Sequence, residues 1–539
     1  MAISSVVELS LGLDFGGWLR VLGTIAVISY VLAALRAWWR LREFKGPFLA
    51  SFSYLWLTRA VSSGRMFEWW LETEAKYGGE GPSTVRVGPN ELLTSDPDVI
   101  RRTSGARSRY SRSGWYQLAN VDPYEEAMIS TLDTAKHDKL KAQTAPGYTG
   151  KENPGLESDL DLILGQLTGK IRTVYATAKQ GEEKPMLDLA SLAQSFTLDS
   201  ISKIAFGEEF GVIQEKRDIQ GYLEALETAV RGIVIPGAVP LVRAILLSKL
   251  VLRFIGPTPE DKKGVGLLMG IGRPLVAKRF AQTNAKDQQD MLSSFIRHGL
   301  TQRECELESI IQIIAGSDTT ATTIRTIMLY LMSTPRAYRA LQAEIDEAIQ
   351  AGRISNPITQ VEALALPYLQ AVIYEGLRIA PPFTAVPFKV VPPEGDTIDG
   401  KRVPGGTLVA PNFWTTGRNQ GIFGPDVDVY LPERWLDAQR SVAERAEMRR
   451  VAELAFGYGR WGCAGKMIAF LELNKVFVEL LLFQVIINAN AGHQLLRRFD
   501  FQLVYPTRPW KSVNYNLFLQ REMWVTVTVR EEAELQKKD

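Results

Sequence analysis

The sequence predicts a mainly α-helical protein with minor β structure, in which a large helical domain and a small β-rich region follow an N-terminal transmembrane helix. Apolar residues recur at intervals of three and four through residues 155–350, which is typical of helices. β-Type residues and turn signals are concentrated at residues 82–100, 382–412 and 499–530. No Gly/Ser-rich or Pro-rich linker and no internal repeat divides the chain. We therefore expect an anchor and hinge at residues 1–45 and one domain at residues 46–539.

The N-terminal apolar run has the features of a membrane anchor. Residues 21–35 carry no charge, and arginines at the ends can extend to the headgroups, so residues 15–39 are long enough to cross a bilayer. Basic residues follow the run, at Arg36, Arg40, Arg42 and Lys45. The positive-inside rule therefore places the larger C-terminal part in the cytoplasm. A cleaved signal peptide ending near Ala34 or Ala37 is the alternative, but the basic flank after the run favours the anchor.

Charge and cysteine content exclude several classes of function. The chain has 62 Lys plus Arg against 60 Asp plus Glu, a net charge of +2, so nothing indicates a nucleic-acid partner. The two cysteines, Cys305 and Cys463, cannot form a disulfide framework or a zinc site of several thiolates.

The most informative stretch is the loop FGYGRWGCAG at residues 456–465. Its glycines permit tight turns and a close approach of the backbone to a flat cofactor. A helical pattern begins directly after it at Lys466, and a thiol at a helix N-terminus is biased towards thiolate. An inert buried thiol beside a flexible loop is the alternative interpretation, but the glycine spacing and the following helix favour a ligand.

This loop resembles the haem-binding signature Phe-x-x-Gly-x-Arg-x-Cys-x-Gly of the cytochrome P450 family. The matching residues are Phe456, Gly459, Cys463 and Gly465. The resemblance implies that Cys463 is the axial thiolate ligand of the iron of haem b, where an electron-rich ligand helps to cleave dioxygen. The family's usual arginine, which contacts a haem propionate, falls at Trp461, with Arg460 one place earlier. Indole donates a hydrogen bond but carries no charge, so either of these two residues is a candidate for the propionate contact.

Two further elements stand in the order that the family requires. Glu375 and Arg378 lie at i, i+3 of a predicted helix, and Arg434 follows in a Pro-Glu-Arg-Trp run. They resemble the Glu-x-x-Arg and Pro-Glu-Arg elements of the family, which form an ion network. We expect a structural role for all three, because an Arg–carboxylate fork has fixed geometry.

A predicted helix from residue 306 to about residue 331 contains the run AGSDTT at residues 315–320, which is unfavourable in a helix interior. A weak helix centre with solvated polar residues is one interpretation. Beside the cysteine loop, however, the run resembles the distal helix of the family. The resemblance implies that Ala315 and Gly316 leave room for dioxygen and that Asp318 and Thr319 supply protons.

Other positions are suggested by the same resemblance. His137, Lys141 and Lys389 match basic positions near a haem propionate, with plain surface charge as the alternative. Residues 383–388 and three aromatic residues are expected to line a pocket for a bulky lipophilic ligand: Tyr110, Trp115 and Tyr116.

The segment at residues 482–495 interrupts the pattern expected after the cysteine helix. We hypothesise a retained intron translated in frame; a real surface loop is the alternative, since loop-closure cost grows slowly with length. The preceding residues 472–475 (ELNK) resemble fungal pisatin demethylase-like members of the family.

The resemblance implies a monooxygenase that inserts one atom of O2 into a lipophilic small molecule, in secondary-metabolite biosynthesis of a terpenoid, polyketide or alkaloid. Electrons would come from NADPH through NADPH–cytochrome P450 reductase. The enzyme would be a single-pass protein of the endoplasmic reticulum membrane with a cytosolic catalytic domain. The alternatives are a haem-thiolate isomerase or peroxygenase, and a haem protein inactivated by residues 482–495.

Overall fold

The computed structural model describes residues 14–120, 122, 124–176, 185–215, 221–385, 388–481, 483–488 and 493–530. The helices of these residues are α1 Phe15–Arg40, α2 Leu55–Ser62, α3 Met66–Tyr77, α4 Pro97–Ser104, α5 Thr134–Tyr148, α6 Leu156–Lys170, α7 Leu189–Phe206, α8 Val212–Glu215, α9 Tyr222–Gly237, α10 Pro240–Leu246, α11 Lys249–Ile255, α12 Gly264–Phe280, α13 Met291–Arg297, α14 Gln302–Ser333, α15 Pro335–Gln350, α16 Gln360–Leu364, α17 Pro367–Ile379, α18 Phe413–Thr416, α19 Gln420–Phe423, α20 Val442–Ala452 and α21 Lys466–Leu481. Short 3-10 turns lie at Phe48–Ser51, Tyr116–Ala119, Pro432–Trp435, Glu453–Phe456 and Gly459–Trp461, and a π-helical turn at Ile171–Ala176 follows α6. The prediction of a mainly helical fold is confirmed.

The strands form two larger sheets and two hairpins. They are β1 Thr84–Arg86, β2 Glu91–Thr94, β3 Ser111–Arg112, β4 Leu187–Asp188, β5 Lys389–Val390, β6 Asp396–Ile398, β7 Lys401–Val403, β8 Leu408–Pro411, β9 Phe483–Asn488, β10 His493–Leu503, β11 Lys511–Asn514, β12 Phe518–Arg521 and β13 Trp524–Arg530. One sheet has the order β1-β2-β8-β5-β3, with β2 and β8 parallel, and the other has the order β4-β13-β10-β9. Strands β6–β7 and β11–β12 form the hairpins. In the first sheet Arg112 pairs with Lys389 across β3 and β5.

The long helix α14 is the centre of the fold. It packs against α7, α12, α13, α15, α17 and α21. It begins with a capping box, in which the Thr301 hydroxyl accepts from the Glu304 N–H and the Glu304 carboxylate accepts from the Thr301 N–H. Hydroxyl groups in its interior bond to the preceding turn, since Ser317 Oγ donates to the Ile313 carbonyl at 2.6 Å and Thr319 Oγ1 to the Ala315 carbonyl at 2.8 Å. The run at residues 315–320 therefore stays helical.

Helix α1 is long and apolar enough to cross a membrane and lies outside the core. Its 26 residues span about 39 Å, more than the hydrocarbon core of about 30 Å. The C-terminal end of α1 is attached to the body, because Arg86 Nη2 donates to the Ala37 carbonyl at 2.9 Å and Arg40 Nη2 donates to the Gly405 carbonyl at 2.8 Å. These bonds hold the end of the anchor against the first sheet.

The chain is fixed to the body where the predicted anchor and hinge end, at residue 45. The Arg86 N–H donates to the Lys45 carbonyl at 2.8 Å. A Cβ added to Gly46 would overlap the Arg86 carbonyl oxygen. The chain is therefore fixed against β1 at this point, while the division at residue 45 stays a prediction.

The segment at residues 482–495 carries a strand. Strand β9 pairs antiparallel with the first half of β10, with Phe483 opposite Arg497 and Val485 opposite Leu495. Residues 482 and 489–492 lie outside the described residues. The retained intron stays a hypothesis, and transcript sequencing that always contains the segment would exclude it.

Candidate functional site

The loop that carries Cys463 is closed by its own backbone. The Cys463 N–H donates to the Phe456 carbonyl at 2.7 Å. Gly457 and Gly459 have positive φ values of 72° and 58°. A Cβ on Gly459 would lie only 2.7 Å from the Ser104 carbonyl oxygen, so glycine is required here for close packing as well. These contacts fix the position of the thiol at the start of α21.

The Cys463 side chain is exposed, although dense protein surrounds the thiol. Burial raises the pKa of the Cys463 thiol, while the Gly465 N–H and the charges of Lys141 and Lys466 oppose that rise. The helix N-terminus favours thiolate as predicted, because backbone N–H groups lower the pKa of Cys463, but desolvation outweighs this contribution. A coordinated metal ion deprotonates a thiol outright, so a thiolate ligand is still compatible with this position.

Two other residues show that open space adjoins the thiol and the distal helix. Ala315 is exposed although it lies in the middle of α14, between the buried residues Ile313 and Ser317. A Cβ added to Gly465 would meet no atom within 4 Å, two residues after Cys463. Since α14 packs against α21, these surfaces belong to neighbouring elements. This arrangement fits a flat group bound between the loop and α14.

Gly316 is predicted to leave room for dioxygen, but its lack of a side chain has a different structural reason. A Cβ at this position would lie 2.7 Å from Cγ1 of Ile201 on α7. The missing side chain therefore permits the close packing of α7 against α14. Ala315 is exposed, and room for dioxygen beside it stays a prediction.

Asp318 and Thr319 differ in their surroundings. Asp318 is buried, and its Oδ2 has no hydrogen-bond partner among the described residues. Burial raises the pKa of Asp318 to about 7, with the nearby Arg325 opposing the rise. Thr319 is only partly buried and its hydroxyl lies one turn from the exposed Ala315. An acid with a pKa near 7 is suited to proton transfer at neutral pH.

Basic side chains surround Trp461 and form what we call the Trp461 cluster, which consists of Arg112, Tyr116, His137, Lys141, Lys389 and Trp461. Lys389 Nζ lies 4.3 Å and Arg112 Cζ 4.5 Å from the Trp461 ring centroid, and the His137 ring also lies 4.5 Å away. Lys141 Nζ donates to the carbonyls of Arg460 at 2.6 Å and Gly462 at 3.0 Å. The cluster is therefore connected directly to the cysteine loop.

The Trp461 cluster has an excess of positive charge. Burial, together with the charge of Arg112, lowers the pKa of His137 to about 4 and the pKa of Lys389 well below its usual value. The nearest carboxylate, Asp138, contacts His137 Nδ1 at 3.0 Å and Arg460 Nε at 3.2 Å. Lys389 Nζ and Trp461 Nε1 are buried without a hydrogen-bond partner among the described residues. Buried cations and unsatisfied donors are costly, so this arrangement indicates an anionic ligand.

The donor set fits haem. Two carboxylates, such as the propionates of haem, would satisfy the unpaired donors of the Trp461 cluster and offset its charge. Among the described residues, no group of three His, Cys, Asp or Glu side chains is placed to hold a metal ion alone. Iron carried in a macrocycle with one protein thiolate is consistent with both observations.

Sequence reasoning missed Arg112. Arg112 Nη1 donates to the carbonyls of Met128 at 2.6 Å and Thr131 at 3.0 Å, and only the β3–β5 register brings it beside Lys389. The three aromatic residues predicted to line the ligand pocket are buried: Tyr110 donates to Asp396, Trp115 packs on Phe388, and Tyr116 lies within the Trp461 cluster. Their place in the pocket stays a prediction. In the stretch 383–388, residues 386 and 387 lie outside the described residues.

The ion network that the sequence predicts is formed and fully buried. Arg378 Nε and Nη2 donate to the two carboxylate oxygens of Glu375, both at 2.8 Å. Arg434 Nε and the Trp435 indole add bonds to the same carboxylate at 3.0 and 2.9 Å. The remaining arginine donors bond to backbone carbonyls, such as Arg378 Nη1 to Val427 at 2.7 Å. We call these four residues the Glu375 network.

Comparison with known proteins agrees with this site. The family model described as Cytochrome P450 matches residues 122–515. The chain is 44% identical over 516 residues to "Cytochrome P450 monooxygenase ABA1" of Pyricularia oryzae, which covers 95% of this chain and 97% of the relative. It is 40% identical to "Cytochrome P450 monooxygenase aba1" of Botryotinia fuckeliana, covering 92% of this chain and 93% of the relative. For "Cytochrome P450 monooxygenase abl1" of Leptosphaeria maculans the identity is 37%, covering 91% and 82%.

The resemblance seen in the cysteine loop is thus confirmed over nearly the whole length of the chain. The family carries haem iron with thiolate ligation, as expected from the sequence. The protein belongs to the cytochrome P450 family of haem-thiolate monooxygenases.

Proposed function

We propose that this protein inserts one oxygen atom into a C–H bond of a lipophilic small molecule. The substrate RH, O2, NADPH and a proton give ROH, water and NADP+, so NADPH supplies the two electrons that reduce the second oxygen atom. The observation that carries the proposal is the connection of the Cys463 loop, through Lys141, to a cluster of unpaired cations. That combination suits a flat anionic cofactor with an axial thiolate.

Haem b is the proposed cofactor, with Cys463 as the ligand of its iron. Arg112, Lys389 and Trp461 would bind its carboxylates, while Lys141 fixes the loop by its two backbone acceptors. When bound, haem supplies the oxygen-activating chemistry. Cys305 is an unsuitable ligand, because it is buried in the core, whereas Cys463 is exposed.

The proposed catalytic residues lie on α14. Ala315 faces open space, and the small side chain would leave room for dioxygen. Thr319 would hold a proton at its hydroxyl near that space, and Asp318 would be the acid that restores it. The burial of Asp318 keeps a fraction of its carboxyl protonated near pH 7, as a general acid requires.

Electrons are proposed to arrive from a separate flavoprotein, NADPH–cytochrome P450 reductase. Basic residues near the cysteine loop are paired within the protein: Lys466 with Glu453 at 2.7 Å, and Arg450 with Glu447 at 2.8 Å. An acidic partner would therefore have to replace these carboxylates on docking. Exchange of exposed ion pairs costs little, so this face is compatible with transient binding.

We infer attachment to the endoplasmic reticulum membrane by α1, with the catalytic domain in the cytosol. A second apolar surface supports this orientation, because Leu241 on α10 and Leu250, Phe254 and Ile255 on α11 are about 70% exposed or more. A lipophilic substrate would concentrate in the same membrane. The likeness to fungal relatives supports a role in secondary metabolism.

Isotopically labelled dioxygen tests the proposed reaction. Vesicles that contain the protein and a fungal reductase would be incubated with a panel of terpenoid, polyketide and alkaloid compounds. We expect a product that carries one labelled oxygen atom and forms only with NADPH. A product that forms without O2 and NADPH would indicate an isomerase, and one that forms only with added peroxide would indicate a peroxygenase.

A further inference from the structure

The interface between α7 and α14 contains a polar group that the proposed reaction does not yet use. Gln194 on α7 is buried, and its Oε1 accepts from Arg325 Nη2 at 2.7 Å. Arg325 is buried two turns after Asp318 on α14, and it also donates through Nε and Nη2 to the Ala190 carbonyl at 3.0 and 2.8 Å. The arginine thus fixes which end of the glutamine amide faces away from it.

That fixed orientation leaves the amide N–H group of Gln194 without an acceptor among the described residues, beside Asp318. With Oε1 held by Arg325, Nε2 is the free donor of the side chain. Neither Gln194 Nε2 nor Asp318 Oδ2 has a completed hydrogen bond among the described residues. The two groups are nevertheless close enough for the amide to act as a donor that lowers the pKa of Asp318. A buried donor and a buried acceptor that lie near each other without hydrogen bonds are rare in a packed interface.

We propose that Gln194, oriented by Arg325, is a positioning residue that holds the Asp318 carboxyl ready to transfer a proton towards Thr319. This inference rests on the proposed function, in which Asp318 is the acid. A weak contact with Gln194 suits the role, because the Asp318 carboxyl must be positioned and yet turn between two partners when it releases its proton.

The other groups near this pair are few. Arg325 and Arg521 face Asp318 from α14 and β12, and both lower its pKa. Asp188 and Tyr222 face Arg325. On the side of α21, burial raises the pKa of Glu472 to about 8, while the Thr320 hydroxyl lowers it as a donor to the carboxylate. Arg325 acts on Asp318 directly by its charge, and Gln194, which accepts from Arg325, adds a second contribution.

Turnover without substrate tests the inference and needs no knowledge of the natural substrate. In vesicles with reductase and NADPH, O2 is reduced either to hydrogen peroxide, with one NADPH per O2, or to water, with two. Delivery of protons by a positioned acid favours water. Gln194→Leu should raise the share of O2 released as peroxide and move the midpoint of its pH dependence upwards, because a donor that lowers the pKa of Asp318 is lost.

The expected change in peroxide-to-water ratio is about tenfold, below the range of about 10²–10⁴ for a general acid itself. Gln194→Glu keeps the shape of the side chain but places a carboxylate beside Asp318. It should therefore move the midpoint of the pH profile upwards by roughly one to three units. Gln370→Leu is the matched control, since this buried amide donates to Ala363 and Asn474 and should leave both readouts unchanged.

Asp318→Asn separates a failure of the acid role of Asp318 from a failure of the positioning role of Gln194. If this variant keeps the wild-type ratio and pH profile, the acid role of Asp318 is wrong. If it changes both while Gln194→Leu and Gln194→Glu, each with a normal carbon monoxide spectrum, remain like the wild type, only the role of Gln194 is overturned. Should Gln194→Leu fail to fold, the pH midpoint of Gln194→Glu decides alone.

Discussion

The Glu375 network and the Trp461 cluster are both buried groups of charged side chains, but only the first is complete. In the Glu375 network one carboxylate accepts from two arginines and an indole, and the other arginine donors reach backbone carbonyls. In the Trp461 cluster, by contrast, Lys389 Nζ and Trp461 Nε1 lack acceptors among the described residues. A completed network stabilises the fold, whereas an incomplete one of a single sign indicates a bound ligand of the opposite sign.

The largest effect is expected from breaking the complete network. Glu375→Gln leaves Arg378 and Arg434 buried without a countercharge and should lower the free energy of unfolding by about 3–5 kcal/mol. Urea unfolding measures the loss. Glu433→Gln is the control, because this carboxylate is partly exposed beside Arg336 and should contribute less than about 1 kcal/mol. Equal losses of unfolding free energy in Glu375→Gln and Glu433→Gln would show that the buried network stabilises the fold no more than an exposed ion pair.

Acid sensitivity should differ between the haem-free and haem-loaded protein. The pKa of His137 is lowered to about 4, so the unfolded chain binds more protons than the native state between about pH 6.5 and pH 4. Stability present above pH 6.5 is therefore lost as the pH falls to about 4, by about 3 kcal/mol in the haem-free protein. Haem carboxylates would favour the protonated imidazole and reduce that loss.

Urea unfolding between pH 4 and pH 7 checks this, with His137→Gln expected to flatten the haem-free profile. An identical pH dependence with and without haem would show that the cluster does not meet the haem carboxylates.

Removal of an unpaired cation should raise the free energy of unfolding, whereas the Glu375 variant lowers it. Lys389→Met should raise the stability of the haem-free protein by about 1–3 kcal/mol, because a buried donor without an acceptor is removed. The same variant should lose haem faster to a haem-scavenging protein. Lys141→Met should instead destabilise both forms, since Lys141 donates to two loop carbonyls. If Lys389→Met instead lowers the stability of the haem-free protein, Lys389 is not an unpaired buried charge.

The smallest effect is expected at Trp461 itself. Trp461→Phe keeps an aromatic ring beside Lys389 and Arg112 but removes the indole N–H. It should speed the loss of haem by a factor equivalent to about 1 kcal/mol. Trp461→Leu removes the ring as well and should cost about 1 kcal/mol more. Haem-transfer rates measure both. Equal rates for the two variants would show that the ring contributes nothing to the cluster.

Local motifs were enough to predict the family, the ligand and the complete network. Cys463, Glu375 and Arg378 lie in short runs whose spacing already determines which side chains meet. Arg112 was missed because its meeting with Lys389 depends on strand register, which periodicity does not reveal. Gly316 was misinterpreted because the sequence does not show that Ile201 of α7 lies against it.

The same limit explains Gln194. Its partners Arg325 and Asp318 are more than 120 residues away, and only helix packing brings them together. The pKa directions were equally out of reach, since desolvation at Cys463 depends on how the whole loop is covered. Sequence reasoning therefore recovered what is local or shared by motif, and the structure supplied the pairings between distant elements.

The carbon monoxide difference spectrum of reduced membranes tests the central claim that Cys463 is the axial ligand. Wild type and Cys305→Ser should both give the red-shifted Soret band of thiolate-ligated haem, which would also show that residues 482–495 permit folding. Cys463→Ser should lose that band. A red-shifted band that persists in Cys463→Ser, or one that disappears in Cys305→Ser alone, would contradict the assignment.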